Sequence, residues 1–295
     1  ELKRLNIEIV RPNINNCYAD FKAEKNKIFY ALSGIKSVGY EAISKVIEER
    51  ENNGTFKSLE DFISRVNPRD INKLQLEGLV KAGAFDELCK NRSSLFNSIP
   101  KLIQINKSIF EEKNSMQSNL FAGNSDKNIE VFNLEKNKEW EKNEILMNEF
   151  HSIGFYMSDH PLKVYEKYLR DSKIVTFNEF INSKDSSGIV AGTIMSIQEK
   201  KSIKGNPFAI IKFSDLKGEF ELFLFSDLLV QKRNQLKAAN SFALTLQKDT
   251  SSNGSSTRRI NIKNIIDIND LVNAVHENVT IEIKDKSDFN QLKDF

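Results

Sequence analysis

The sequence predicts a multidomain α+β fold, a helical module followed by a five-stranded β-barrel. Three observations lead there. The 295 residues are 39% hydrophobic and 28% charged, ordinary globular usage with room for two or three domains. Over 35–110 apolar residues recur every three or four positions, the period of helices that bury one face. From 188 the period becomes two, the mark of half-buried strands.

Taken in order, residues 1–34 read as a helix end at Glu1 to Leu5, a strand-like Ile7 to Val10, a turn at Pro12 and a strand at Lys27 to Leu32. They look like the edge of something larger. Residues 35–110 form the helical module. Ile43, Val46 and Ile47 share one face, Leu59, Phe62, Ile63 and Val66 the next, and Leu74, Leu76, Leu79 and Val80 a third, with turns at Asn53-Gly54, Asn67-Pro68 and Gly83. Residues 111–132, polar and rich in Asn, Ser and Lys, read as an exposed linker. A helical connector fills 133–172, with a charged helix over about 133–149, a turn at His160-Pro161 and a helix to about 170. In 173–270 the alternating sets are Ile189, Ala191, Thr193, Met195 and Ile197, then Ala209, Ile211 and Phe213, then Phe220, Leu222 and Leu224. A helix over 226–238 and strands near 241–248 and 258–266 complete the set. Five strands with a helix between the third and fourth is the order of an OB-fold barrel. Residues 271–295 would begin a further domain.

Composition closes several classes. The strongest apolar run, Phe220 to Phe225, is broken by Glu221 and too short to span a bilayer, and no charged-then-apolar leader opens the chain, so a soluble cytoplasmic protein without a membrane partner is expected. Cys17 and Cys89 form no C-x-x-C pair, which argues against a disulfide framework and a cysteine zinc site. The chain opens on Glu1 and closes inside an amphipathic pattern, and is expected to be part of a longer polypeptide. Net charge is +2, but residues 186–265 hold 12 Lys and Arg against 6 Asp and Glu, while 111–171 hold 8 against 12. The basic half is the better candidate for a phosphate partner.

Three motifs carry chemistry. The run I-K-S-V-G-Y-E-A-I at 35–43 is similar to the helix-hairpin-helix signature, in which a tight turn opens a helix whose free N–H groups face a DNA phosphate. Here Lys36, Ser37, Val38, Gly39, Tyr40 and Lys45 are the candidate contacts, with Gly39 letting the backbone approach, Val38 packing inward and Ser37 standing at the first hairpin glycine. A plain core helix-turn-helix is the competing reading. Val80 to Asp86, with Gly83, reads as a helix stop rather than a second phosphate site. Gln117-Ser118-Asn119-Leu120-Phe121 resembles the pentapeptide by which bacterial proteins dock on a sliding clamp, with Gln117, Leu120 and Phe121 as anchors. On the outer face of the barrel Phe208 and Phe223 could stack on bases while Lys200, Lys201, Lys204, Lys212, Arg258 and Arg259 follow the backbone. The competing reading is that these aromatics cover another domain.

His151, His160 and His276 form no metal cluster, and no P-loop, GxGxxG or GxSxG is present. The acidic run from Glu135 to Glu149 has helical spacing interleaved with lysines and reads as a solvated face. No catalytic residue and no metal site is expected in the chain.

In order, P-N-I-N at 12–15, A-L-S-G-I-K-S-V-G at 31–39, I-E-E-R-E-N-N-G-T-F-K-S-L-E-D-F at 47–62, I-N-K-L-Q-L-E-G-L-V-K-A-G-A-F-D at 71–86, Q-S-N-L-F at 117–121 and I-G-F-Y-M-S-D-H-P-L at 153–162 resemble the C-terminal half of the bacterial DNA polymerase III alpha subunits. The resemblance implies that 1–34 close the fingers region and that the helix-hairpin-helix module holds duplex DNA. It further implies that the pentapeptide tethers the enzyme to the sliding clamp and that the OB-fold lies near single-stranded template. Mg2+ would be held by palm aspartates outside this chain, so the segment is expected to be inactive alone. Clamp-loader and proofreading subunits would be partners of the full-length chain. The rivals are a non-catalytic repair or recombination factor that combines hairpin and barrel, and a fragment whose barrel touches only protein.

Overall fold

Residues 5–118, 133–249 and 260–275 are described by a computed structural model, and the chain divides into two units, Glu1–His160 and Pro161–Phe295. In the first, three short strands form a small sheet: β1 (Glu8–Val10) pairs parallel with β3 (Lys27–Phe29), which pairs antiparallel with β2 (Lys22–Glu24). The Asn13 side chain then ties the turn after Pro12 by accepting from the Asn15 and Asn16 N–H groups, and Asn15 exchanges two hydrogen bonds with the Phe56 backbone.

Five helices follow: α1 (Tyr40–Asn53), α2 (Leu59–Arg65), α3 (Lys73–Lys81), α4 (Arg92–Ser118) and α5 (Lys142–Ile153). Local chemistry starts two of them. Ser58 caps α2 and Asn72 closes a reciprocal capping box with Gln75 on α3, each satisfying N–H groups that the helix leaves open. The expected inward residues are buried, with Leu79 fully so, except Leu74, which is 63% exposed. It lies two residues, about 200° of helix, from Leu76 and so on the opposite face. Leu95, Ile99, Leu102 and Ile105 of α4 complete the core.

Two stretches differ from the sequence expectation. α4 runs on through 111–118 into the presumed linker, because no Gly or Pro interrupts that polar stretch. Conversely 133–141 is not helical. Its polar groups are spent on the start of α4: the Glu139 carboxylate accepts from the Arg92 and Ser93 N–H groups, and the Asn137 carbonyl accepts from the Asn91 and Ser94 side chains.

The second unit opens with a 3-10 turn, Pro161–Tyr165, then α6 (Glu166–Asp171) and α7 (Phe177–Asn182). Its sheet holds β4 (Ser187–Lys201), β5 (Pro207–Ser214), β6 (Glu219–Phe225), β7 (Ser241–Lys248) and β8 (Ile260–Asp267), with α8 (Ser226–Lys232) between β6 and β7 and α9 (Ile268–Val275) last. The order is β6-β5-β4-β7-β8 and every pairing is antiparallel. The edge strands β6 and β8 come within 8 Å at Cα in places, so the sheet curls. No ladder joins them among the described residues, however, so the expected closed barrel is not reached through hydrogen bonds.

Ala209, Ile211, Phe213, Phe220, Leu222 and Leu224 point inward as expected. In the first half of β4 the expected set is only partly buried and does not form the main core: Ala191 and Thr193 are buried and Ile189 is 41% exposed, while Val190 and Ile194 face the main core. A bulge between Ile194 and Ser196 changes the parity, and only beyond it does Ile197 turn in. Gly192 belongs to the inner face, where a Cβ would stand 3.0 Å from the Phe220 ring and 3.1 Å from Phe213. Ala191, on the other face, joins Leu162, Leu169, Ile174 and Ile268 in a smaller cluster.

Candidate functional site

The hairpin at 35–40 joins a 3-10 turn, Leu32–Gly34, to α1 and is held from three sides. Val38 is buried and its N–H donates to the Ile35 carbonyl at 3.0 Å. The Lys36 N–H donates to the Ser152 carbonyl of α5 at 2.8 Å. From below, α3 comes so close that a Cβ on Gly78 would stand 2.7 Å from the Lys36 carbonyl oxygen. Gly78 is therefore a site-building residue, and sequence reasoning passed over it within the L-E-G-L run.

Ser37 has φ 69°, the left-handed region, so it adopts the conformation for which glycine is the usual residue. Gly39 behaves the other way. Its backbone is extended, φ −75° and ψ 141°, and a Cβ there would meet only Gln75 Nε2 at 3.7 Å. Neither conformation nor crowding within the described residues requires glycine at this N-cap. No side chain caps α1, and the N–H groups of Tyr40, Glu41 and Ala42 find no acceptor among the described residues. The result is an open helix N-terminus with the partial positive charge of its dipole.

Of the flanking cations, Lys45 is engaged by Asp70 at 2.7 Å, which also raises its pKa. Tyr40 is 54% exposed at the mouth of the turn. His151 belongs to the same neighbourhood: burial first, then the fields of Lys36 and Lys81, hold its imidazole below the ordinary value. Only the fold brings these three together.

The companion turn is a helix stop, as expected. Gly83 has φ 78° and the space beside it is filled by the Arg92 guanidinium, which makes a bidentate pair with Asp86 at 2.6 and 2.8 Å. Arg92 Nη1 also lies 3.8 Å from Glu149. Glu149 is 1% exposed and accepts from the Met157 and Ser158 N–H groups and the Ser158 hydroxyl. The acidic run is thus not simply a solvated face: Glu139 caps a helix and Glu149 anchors the F-Y-M-S turn.

On the second unit, the outer faces of β5 and β6 border a groove of about 640 Å³ lined by Phe208, Phe223 and Phe225. Phe223 and Phe225 are 45% and 59% exposed, and the Phe208 and Phe223 rings lie 6.4 Å apart. Beneath them Phe177, Phe220 and Phe213 stack at 4.2 and 5.4 Å and stiffen the sheet. Lys200 and Lys201, expected in a loop, end β4 opposite Phe208 and Pro207, and Lys204 lies in the turn beyond. Lys212 is tied to Glu219 at 2.6 Å. Arg258 and Arg259 lie outside the described residues, as do Leu120 and Phe121, while the Gln117 backbone belongs to the last turn of α4. Among the described residues no three His, Cys, Asp or Glu side chains converge as metal ligands, and no helix is long and apolar enough to cross a membrane.

Residues 6–95 match the helix-hairpin-helix motif family. The chain is 34% identical over 250 residues to the DNA polymerase III subunit alpha of Borreliella burgdorferi, a match that covers 81% of this chain and 21% of that protein. To the subunit of the same name from Caulobacter vibrioides it is 30% identical over 250 residues, covering 84% and 22%. To that of Rickettsia prowazekii it is 35% identical over 207 residues, covering 69% and 17%. The chain thus spans about a fifth of the length of the curated relatives it matches.

Proposed function

The chain belongs to the family of DNA polymerase III alpha subunits, and from that premise we propose that it is the DNA-holding and clamp-docking portion of a replicative DNA-directed DNA polymerase. In this reading residues 35–110 grip duplex phosphates, 111–132 carry the clamp tether, and 173–270 form an OB-fold that contacts template strand. Nucleotidyl transfer and its Mg2+ belong to other parts of the full-length chain, and the clamp-loader and proofreading subunits would be partners of that full-length chain.

The observation that carries the proposal is the open N-terminus of α1. A phosphate seated there would accept from the amides of Tyr40, Glu41 and Ala42 and meet the positive end of the helix dipole. Glycine at 39, which the chain's own packing does not demand, leaves room for the phosphate to approach. Lys36 and, once protonated, His151 would add charge at the rim. Such contacts hold the backbone without reading sequence.

The test is a fluorescence-anisotropy titration with a primer-template carrying a single-stranded overhang, at several salt concentrations, on the wild-type chain and Gly39→Asp. An N-cap aspartate itself accepts from the Glu41 or Ala42 amide and stabilises the helix slightly, by about 0.3 kcal/mol. It also sets a carboxylate where the phosphate would sit, so affinity should fall at least about tenfold and the salt slope should flatten by about one phosphate contact. Higher thermal stability with weaker binding is the expected pair of results. Unchanged affinity would overturn the hairpin assignment.

A further inference from the structure

β4 pairs with β7 only from Ser187 to Thr193, whereas its pairing with β5 runs on to Lys201 opposite Pro207. β5 in turn is paired with β6 as far as Phe208 opposite Phe225, so only the Lys201–Pro207 pair and its turn project past the sheet as a short two-stranded arm, and residues 198–206 are all exposed. The arm is closed by a defined turn. The Gly205 N–H donates to the Ser202 carbonyl at 2.8 Å, the Ser202 N–H to the Asn206 carbonyl at 2.8 Å, and the Asn206 N–H to the Ser202 hydroxyl at 3.1 Å. Gly205 takes the left-handed φ of 80° that such a turn needs.

At the apex stands Ile203, with a relative exposure of 108%. Turn corners favour proline or small polar residues, and isoleucine is bulky, apolar and stiff at χ1. Around it Lys200, Lys201 and Lys204 crowd the run K-K-S-I-K, which contains no carboxylate. None of the three makes an ion pair with a carboxylate among the described residues, whereas Lys212, Lys217 and Arg233 of the same unit are bound by Glu219, Glu179 and Glu199. Ser202 and Asn206 of the turn, with Phe208 at the base of the arm, line the aromatic groove. A single exposed isoleucine is ordinary on a protein surface; the uncompensated cations around this one select its partner. They fit a polyanion whose apolar interior is reached between stacked bases.

We propose that Ile203 is an unstacking wedge, inserted between neighbouring bases of bound DNA where template single strand meets duplex, with Lys200, Lys201 and Lys204 on the flanking phosphates. Short apolar side chains driven between base steps act in this way in architectural DNA-binding proteins, at the cost of local unstacking. The inference rests on the DNA-holding reading above. It differs from simple groove binding because Ile203 reports on base stacking, whereas the lysines report on affinity.

The experiment uses the full-length subunit with a primer-template that carries 2-aminopurine on the template strand beside the junction, followed by both anisotropy and 2-aminopurine fluorescence. Wild type and Ile203→Leu should bind and raise 2-aminopurine emission at least about threefold as the probe leaves the stack. Ile203→Ser should bind within about twofold of wild type, because the phosphate contacts remain, yet lose most of that emission change. Equal emission from wild type and Ile203→Ser would overturn the wedge and leave DNA holding intact. Loss of a subunit contact in Ile203→Ser with no change in emission would assign the apex to a protein partner instead. A wild-type subunit that does not bind the primer-template would overturn the underlying reading and the wedge with it.

Discussion

At the scale of single residues, the hairpin holds a serine where the backbone asks for glycine and a glycine where it does not. Ser37 bears the steric cost of a left-handed φ of 69°, about 1–2 kcal/mol for a residue with a Cβ. Ser37→Gly removes it but adds chain entropy to the unfolded state, about 0.5–1 kcal/mol. A net gain of about 0.5–1 kcal/mol is expected, read as a higher denaturation midpoint with unchanged slope. Gly78→Ala should do the opposite. The alanine gains about 1 kcal/mol of helix propensity, but its Cβ would meet the Lys36 carbonyl at 2.7 Å. Overpacking against backbone costs about 1–3 kcal/mol and outweighs the gain. It also displaces the hairpin, so DNA affinity should drop together with stability. If Gly78→Ala proves more stable than wild type, the close packing of α3 beneath the hairpin is wrong.

At the scale of elements, helix ends divide the molecule's amides into spent and open ones. The Glu139 carboxylate closes the start of α4 and capping boxes close α3 and α7, whereas α1 is left open. The box on α7 has a pH signature. The Glu179 carboxylate accepts from the Thr176 N–H and from Lys217, which hold its pKa down to about 2 from the ordinary 4.5. Because the folded value lies below the unfolded one, the carboxylate stabilises the fold fully above pH 4.5, and that contribution is lost as pH falls toward about 2. Glu179 is largely exposed, so the effect is modest and salt-sensitive. Denaturation of wild type and Glu179→Gln should give curves that differ at pH 7 and converge near pH 2; a constant gap would rule out the cap as its source.

At the scale of the whole molecule, the proposed clamp tether predicts that Gln117→Ala combined with Phe121→Ala abolishes co-purification with the sliding clamp and leaves primer-template affinity unchanged. Undiminished pull-down would remove the pentapeptide assignment and spare the DNA-holding one. Period, turn residues and capping chemistry were legible because they are local: the helical faces of 35–110, the stop at Gly83 and the inward sets of β5 and β6 follow from neighbouring residues alone. The hairpin was legible for the same reason, since residues 35–40 carry it in one run. What escaped was set by partners distant in the chain. The bulge at Ile194 reversed the face of β4, the start of α4 drew 133–141 out of a helix, and burial against Arg92 and Ser158 made Glu149 structural rather than solvated. The sequence by itself determined which segments become helix or strand, which turn opens α1, and where basic and aromatic residues concentrate. Tertiary structure alone decided that Lys36, Lys81 and His151 share one neighbourhood, that Gly78 seats the hairpin, that Lys45 is taken by Asp70, and that Ile203 stands bare at the end of an arm. The reason is physical: periodicity and turn chemistry act within a few bonds, whereas charge fields, close packing and exposure depend on which distant residues the fold brings within a few ångströms.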